Sequence, residues 1–403
     1  MGTITHCRLC QNTRLENVID FGSQPLANNL QQSPGGHVDM YPLRLVFCTV
    51  CGHLQLDYTV DPDILFKDYV WVSGTSPRTR LYATTFYRNV LQRTRKTPGF
   101  VVEAASNDGT FLQPFKDHDV DVLGVDPAEN LAVKATQDGI PTIPDYLTVQ
   151  VADAVIDANG PADVVIARNV LPHVEPKPFV AALRTLMDND SLLALEVHYA
   201  GDIYDELQYD SIYHEHQSYF TLQSLEWLLN HNGLYVIDLM RSPISGGSLV
   251  VYARRWPSEP SDHVLSLREA EERKHLDDLQ AWRHFARRVH THCQELQDLV
   301  PPSARPVAYG ASARSSTLLN YTGIHPQFIM DCNPLKHGRY TPGTDIPIVH
   351  PDDGMTTNPS VILLLSWNFQ EEIIRHLKAV YHYNKRVIVP FPYTPRVIDL
   401  EAF

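Results

Sequence analysis

Between about residues 81 and 255 the chain alternates short, nearly continuous apolar runs with segments whose apolar residues recur at helical spacing. The runs are GFVVEAA, DVLGVD, ADVVIARN and SLLALEVHY; the helical segments include FVAALRTLM and LQSLEWLLNHNG, the latter closing where Gly233 suits a helix stop. Apolar runs of this length separated by helices predict a parallel sheet covered on both faces. From near Arg305 the pattern repeats in RPVAYGASA, QFIMD, VILLLSW and RVIVPFP, which predicts a second, smaller α/β unit. Between the two lies SLREAEERKHLDDLQAWRHFARRVHTHCQELQDLV, where Leu265, Leu276, Leu279, Trp282 and Phe285 keep helical spacing among charges. It reads as one long connecting helix. The first 80 residues differ: turn residues such as Gly22 and Pro25, short apolar runs such as LRLVF, and two close cysteine pairs.

A chain of 403 residues exceeds one ordinary core, in keeping with this three-part organisation. The formal net charge of −14, from 33 basic and 47 acidic side chains, argues against a nucleic-acid partner, whose phosphates need a basic footprint. No apolar run is long enough to span a bilayer, and MGTITHCRLC lacks the pattern of a signal peptide, so the expected setting is cytoplasmic, away from membranes, as a monomer or small homo-oligomer. Disulfides are not expected there.

The cysteine pairs are Cys7-Arg8-Leu9-Cys10 and Cys48-Thr49-Val50-Cys51. Each C-x-x-C lets both sulfurs reach one ion at about 2.3 Å, and two pairs complete a tetrahedral zinc site. Gly52 suits the tight turn that such a knuckle needs. Four thiolates leave no open position, so the expected role is structural: Cys7→Ser should lower stability and leave any chemical step intact. Redox-active pairs and ordinary buried cysteines are the competing readings.

Residues 99–112, GFVVEAASNDGTFL, carry a strand that ends in Glu103 and turns through Ala104, Ala105, Ser106, Asn107, Asp108 and Gly109 into a helix. About twenty residues on, a second strand ends in Asp126-Pro127, the position from which an acid binds ribose hydroxyls. G-x-G-x-x-G is absent, and Glu103 and Asp108 are poorly placed beside a pyrophosphate. S-adenosylmethionine has no phosphate and tolerates this acidic turn, so it is favoured over NAD. A third strand ends in Asn169, a candidate for the amino-acid end of the cofactor, with His173 at the mouth of the site. The turn alone is also compatible with any α/β protein.

QYDSIYHEHQSYF packs His214, Glu215 and His216 among Tyr209, Tyr213 and Tyr219. Histidine is the natural general base near neutrality, an adjacent Glu can orient it, and a tyrosine hydroxyl can donate to an oxygen that gains charge. With 19 histidines in the chain, the cluster is also compatible with loop polarity, a metal site or a helix cap.

Taken together, the motifs resemble the nucleotide-sugar C-methyltransferases, including the 3-C-methyltransferases that make branched deoxysugars. The resemblance spans nearly the whole chain: the cysteine knuckles, FGSQPLANNL at 21–30, YVWVSGTS at 69–76, EAASNDGTFL at 103–112, GVDPAENLA at 124–132, ARNVLPHV at 167–174, IYHEHQSYF at 212–220, GGSL at 246–249, YGASARSSTLLNYTGI at 309–324 and DCNPLKHGRYTPGTDIPI at 331–348. It implies an α/β architecture of three parts: a small zinc-binding domain (1–80), a central Rossmann-like class I methyltransferase domain (81–255), and a connecting helix with a C-terminal Rossmann-like domain (256–403). It implies S-adenosylmethionine as cofactor, with Ser73 joining Glu103, Ala105, Asn107, Asp108, Gly109, Asp126, Pro127 and Asn169 around it. The implied substrate is a nucleoside-diphosphate, usually dTDP, 4-keto-6-deoxy sugar. His216 matches the general base, beside Tyr213 and Glu215, and His173 matches a histidine near the keto group. Tyr213 or His173 would bond the enolate oxygen, Tyr219 would line the sugar, and Lys336 and Arg339 could hold the diphosphate.

Departures from the family pattern fall at His198, Ser245, Ser312 and Arg314, and bear on which sugar is accepted. Two other readings remain: methylation of an oxygen or another activated carbonyl compound, and a zinc- and nucleotide-binding scaffold without chemistry.

Overall fold

The computed structural model describes residues 2–66, 72–75, 77–242, 246–300 and 306–402. Residues 69–71 and Ser76 of the YVWVSGTS motif, Ser245, and Arg305 at the expected start of the last unit lie outside them.

Near the N-terminus, β1 (Leu15–Pro25), β2 (Met40–Cys48) and β3 (Leu54–Leu56) form an antiparallel sheet. Its fourth strand is a distant segment, Ser218–Tyr219, which pairs with β3. After α1 (Pro77–Leu91) comes the central sheet, built from β4 (Phe100–Ala104), β5 (Asp121–Val125), β6 (Thr142–Ile143), β7 (Ala162–Arg168), β8 (Met187–His198), β9 (Tyr235–Ser242) and β10 (Ser248–Arg254). The order is β9-β10-β8-β7-β4-β5-β6, with only β10 antiparallel to its neighbours. This is the doubly wound arrangement that the buried apolar runs predict, and its strand order reverses between β4 and β7, where such sheets bind ligands.

The connecting segment is two helices, not the one expected. α2 (Asp262–Lys274) ends at His275 in the left-handed region (φ 52), and α3 (Leu279–Leu299) starts afresh with the Asp278 side chain accepting from the backbone of Gln280. Leu276, in the break, is buried, and its carbonyl accepts from Trp282 Nε1 at 2.8 Å. Burial of Leu276 against α3 offsets the lost helical turn, which helical spacing alone does not reveal.

β11 (Val307–Tyr309), α4 (Ala313–Thr322), β12 (Ile329–Met330), β13 (Ile348–Val349), β14 (Val361–Leu364), β15 (Arg386–Val389) and β16 (Arg396–Asp399) complete the chain. The strands order as β13-β12-β11-β14-β15-β16, again doubly wound, with β16 antiparallel. β11 leaves through Gly310 (φ 99), where an added Cβ would lie 1.9 Å from Ser366 Oγ, so only glycine fits at this second reversal of strand order.

The three parts share their cores. Leu45, Phe47 and Leu54 of the N-terminal sheet pack in one cluster with Tyr209, Ile212, Trp282 and strands of the last sheet. Cys7, Leu9, Cys48 and Cys51 pack in another with Val102, Ala167 and Leu195 of the central sheet. Among the described residues, no helix is long and apolar enough to cross a membrane.

Candidate active site

The two cysteine knuckles have the same local build. In each, the residue after the second cysteine, Gln11 (φ 61) or Gly52 (φ 71), is left-handed and donates its N–H to the carbonyl of the first, Cys7 or Cys48, at 2.9 Å. The four sulfurs lie within 4.8 Å of one another, with Cys7–Cys51 and Cys10–Cys48 at 3.5 Å. A tetrahedral Zn–S₄ site needs sulfur separations of about 3.8 Å, within the spread of this cluster, so the four thiols fit zinc. Among the described residues it is the one cluster of metal-ligating side chains found. Arg8 anchors the knuckle to the central domain: its guanidinium bonds Glu175, ahead of the helix Pro176–Thr185, and Thr59 at 2.8 Å.

At the reversal point of the central sheet, β4 and β7 both leave through left-handed residues, Ala105 (φ 54) and Asn169 (φ 52). For alanine such a backbone costs about 1–2 kcal/mol and needs support from its surroundings. Asp126, at the end of β5, supplies part of it, accepting from the N–H of Asn107 at 2.7 Å and of Ala128 at 2.9 Å. Asn107 Oδ1 and Asp108 Oδ2 in turn accept from the backbone of Ser73 (2.9 Å) and Gly74 (3.0 Å), so these two residues cover the turn. Gly109 follows at φ 76, and Pro127 is half-buried ahead of the next helix.

Glu103 is buried, with Oε2 making no hydrogen bond among the described residues. Burial pushes its carboxyl up to about 8, against the opposing pull of Arg168. An acceptor left over at this edge fits a ligand that brings donors and positive charge, as S-adenosylmethionine does.

The second half of the site is the segment 209–219. His216 Nδ1 lies 2.9 Å from the Ser211 carbonyl, and Nε2 lies 2.9 Å from the Tyr213 hydroxyl. A carbonyl only accepts, so Nδ1 carries the hydrogen, and Nε2 holds the lone pair that Tyr213 caps. Burial, then the neighbouring His173 and His198, keep this ring neutral well below the usual histidine range. His173 lies edge-on to it, ring centres 4.9 Å apart, and its Nδ1 donates to the Glu215 carbonyl at 2.9 Å. Burial pushes His173 down to about 4.

Glu215 does not orient His216 as the sequence suggested. Its backbone carbonyl serves His173, and its carboxylate accepts from Asn28 Nδ2 at 2.6 Å. Burial raises that carboxyl to about 7. Tyr219 lies buried beneath, its ring centre 6.3 Å from that of His216. The helix-cap reading is excluded, because Thr221 and Ser224 cap the helix that follows.

Lys336 Nζ bonds the Ala311 carbonyl at 2.7 Å and Asp331 at 3.2 Å, so its charge is spent bracing the loop after β11. Arg339 is half-buried, with its carbonyl accepting from Ile348. The cation beside the histidines is Arg314, in the first turn of α4. It bonds Gln208 Oε1 at 3.2 Å and lies 3.2 Å from His198 Nε2. Gln208 Nε2 donates to Glu206 and the Gly246 carbonyl, so its oxygen must face His198 (3.0 Å) and Arg314. Burial and then Arg314 push His198 down to about 3.

The turn 105–109 and the histidine cluster thus meet at one edge of a doubly wound sheet, with a four-cysteine centre packed against the same domain. Over 415 aligned residues the chain is 34% identical to the C-methyltransferase NovU of Streptomyces niveus, covering 99% of this chain and 98% of the relative. This chain belongs to the C-methyltransferase family. Three family models match along the chain: a zinc binding domain over residues 7–66, a methyltransferase domain over 78–239, and a C-methyltransferase C-terminal domain over 243–392. It is an S-adenosylmethionine-dependent C-methyltransferase with a structural zinc module, and the scaffold reading is set aside.

Solved structures similar to the C-methyltransferase include magnesium protoporphyrin IX methyltransferase of Synechocystis PCC 6803 with bound S-adenosylmethionine, at 17% identity and TM-score 0.35, over 44% of this chain and 79% of that one. A methyltransferase from Archaeoglobus fulgidus matches at 13% identity and TM-score 0.36, over 43% of this chain and 94% of that one. Three residues of the site were not assigned from sequence. Asn28 lay inside a quoted motif and Arg314 among the departures, whereas Ser211 acts through a backbone carbonyl that no side chain announces.

Proposed function

We propose that this C-methyltransferase methylates a dTDP-linked 4-keto-6-deoxy sugar at the carbon next to the ketone. The substrate class comes from the motif resemblance. The chemistry is supported by one observation above all: His216 is neutral, donates through Nδ1, and presents Nε2 to a tyrosine hydroxyl.

A ketone acidifies the hydrogen on its neighbouring carbon. As substrate enters, the Tyr213 hydroxyl turns from Nε2 to the ketone oxygen and stabilises the charge that develops there. His216 Nε2 then takes the carbon-bound proton, and the Ser211 carbonyl stabilises the imidazolium through Nδ1–H. His173 is a poorer donor to the ketone, because its polar contacts run to the backbone of Glu215 and Asn169. Bound S-adenosylmethionine supplies an electrophilic methyl group. Glu103, Asp126 and the turn 105–109 would hold it at the C-terminal edge of β4 and β5. Arg314, from the C-terminal domain, and Gln208 close the far side.

The test is incubation with S-adenosylmethionine and dTDP-4-keto-6-deoxyglucose, with the GDP-linked keto sugar as control. Product carrying one added methyl on carbon, formed from the dTDP sugar in preference to the GDP sugar, is expected. Methyl found on oxygen would overturn the proposal.

A further inference from the structure

Every residue of the segment 214–219 except His216 is held by the zinc module. His214 Nε2 lies 3.2 Å from the Pro42 carbonyl on β2. Glu215 receives Asn28 at 2.6 Å. The Gln217 carbonyl accepts from Leu56 at 3.0 Å, and Ser218 pairs with Gln55 while its hydroxyl lies 3.2 Å from His53 Nε2. Tyr219 pairs with Leu54. The same stretch of the module leads into the cysteines. Gln55 Oε1 accepts from the Arg8 backbone, between Cys7 and Cys10, at 2.7 Å, and the His53 carbonyl accepts from Cys48 at 2.8 Å. The five held side chains are buried, whereas His216 alone in the segment keeps open surface.

We infer that the zinc module is the positioning element of the active site: through Asn28, His53 and β3 it sets where His216 stands. This rests on His216 being the base. The physical argument is the short path. Ser218–Tyr219 is a two-residue strand, and such a strand persists only while its template is in place. Its template, β3, begins three residues after Cys51, so a metal held by Cys48 and Cys51 would clamp the turn between β2 and β3. Without the metal the module loses the bonds that fix β3, and His216, two residues before Ser218, loses its register against Ser211 and Tyr213. The cofactor turn has different supports, Ser73, Gly74 and Asp126, so it should be spared.

The test uses the full-length, zinc-loaded enzyme and two substitutions outside the metal ligands, Asn28→Ala and Ser218→Ala. With zinc content unchanged, amide exchange of the 214–219 peptide is expected to rise roughly tenfold in the double variant. A shift of about an ångström in a catalytic group costs up to about 100-fold in rate, so kcat on the dTDP keto sugar is expected to fall roughly 10- to 100-fold, while cofactor Kd stays within about twofold. Zinc removal by a chelator should give the same local rise in exchange. Unchanged exchange and kcat in the double variant, with His216→Asn inactive, would overturn the positioning role and leave the base in place. An active His216→Asn enzyme would instead remove the reading on which it rests.

Discussion

The Nδ1–H of His216 donates to the Ser211 carbonyl at 2.9 Å, and this single contact sets the tautomer on which the chemistry depends. It puts the lone pair on Nε2, next to Tyr213, and leaves no role for the Glu215 carboxylate as an orienting partner. His216→Asn keeps a polar side chain without an imidazole base. General-base catalysis contributes about 10²–10⁴-fold, so kcat should fall by that order while calorimetry finds cofactor affinity unchanged. Tyr213→Phe should lower kcat with little effect on KM, since its bond to the oxygen forms as charge develops.

Glu103 should make cofactor binding depend on pH. The free enzyme holds this carboxyl protonated up to about 8, and a positively charged ligand favours the ionised form. Affinity for S-adenosylmethionine should therefore tighten from pH 6.5 to 8, and binding near neutrality should release a proton into the buffer. Glu103→Gln should weaken binding and flatten that dependence, both measurable by calorimetry in two buffers of different ionisation enthalpy.

The free enzyme should be most stable in a band around pH 6. His173 and His198 have folded pKa values depressed to about 4 and about 3, so the unfolded chain binds their protons first and stability falls as pH drops below the unfolded value of 6.5. Glu215 and Glu103 have folded values raised to about 7 and about 8, so the stability they contribute is full below 4.5 and is lost as pH rises through 7 and 8. Thermal melts across pH 4–9 should show Tm declining on both sides. In Glu103→Gln the alkaline decline should shrink.

Arg314 separates acceptor recognition from cofactor binding. It reaches His198 and Gln208 from the C-terminal domain. Arg314→Met should reduce kcat/KM for the keto sugar by about 10²-fold, the scale of a lost charged hydrogen bond, with cofactor Kd unchanged. Lys336→Met should instead act on stability, because Lys336 braces Asp331 and the Ala311 carbonyl.

How much of this was legible in the sequence follows from what kind of contact each feature needs. The strands of both doubly wound sheets were legible because they are buried on two faces and read as unbroken apolar runs; the zinc knuckles were legible because C-x-x-C is local. The break at His275 was not, since no glycine or proline marks it and the compensation, burial of Leu276, is tertiary. The strand Ser218–Tyr219 is two residues long and exists through its pairing with Leu54 and Gln55, more than 160 positions away in the chain. Asn28, Arg314 and the Ser211 carbonyl come from three different parts of the chain, and only folding brings them to Glu215, His198 and His216 respectively.

The most direct measurement is hydrogen exchange on the substrate carbon. With S-adenosylhomocysteine in place of the methyl donor, the enzyme is incubated with the dTDP keto sugar in deuterated water and the carbon next to the ketone is followed by NMR. The account predicts deuterium entering that carbon with the wild type and not with His216→Asn. No exchange by the wild type, or equal exchange by both proteins, would contradict it.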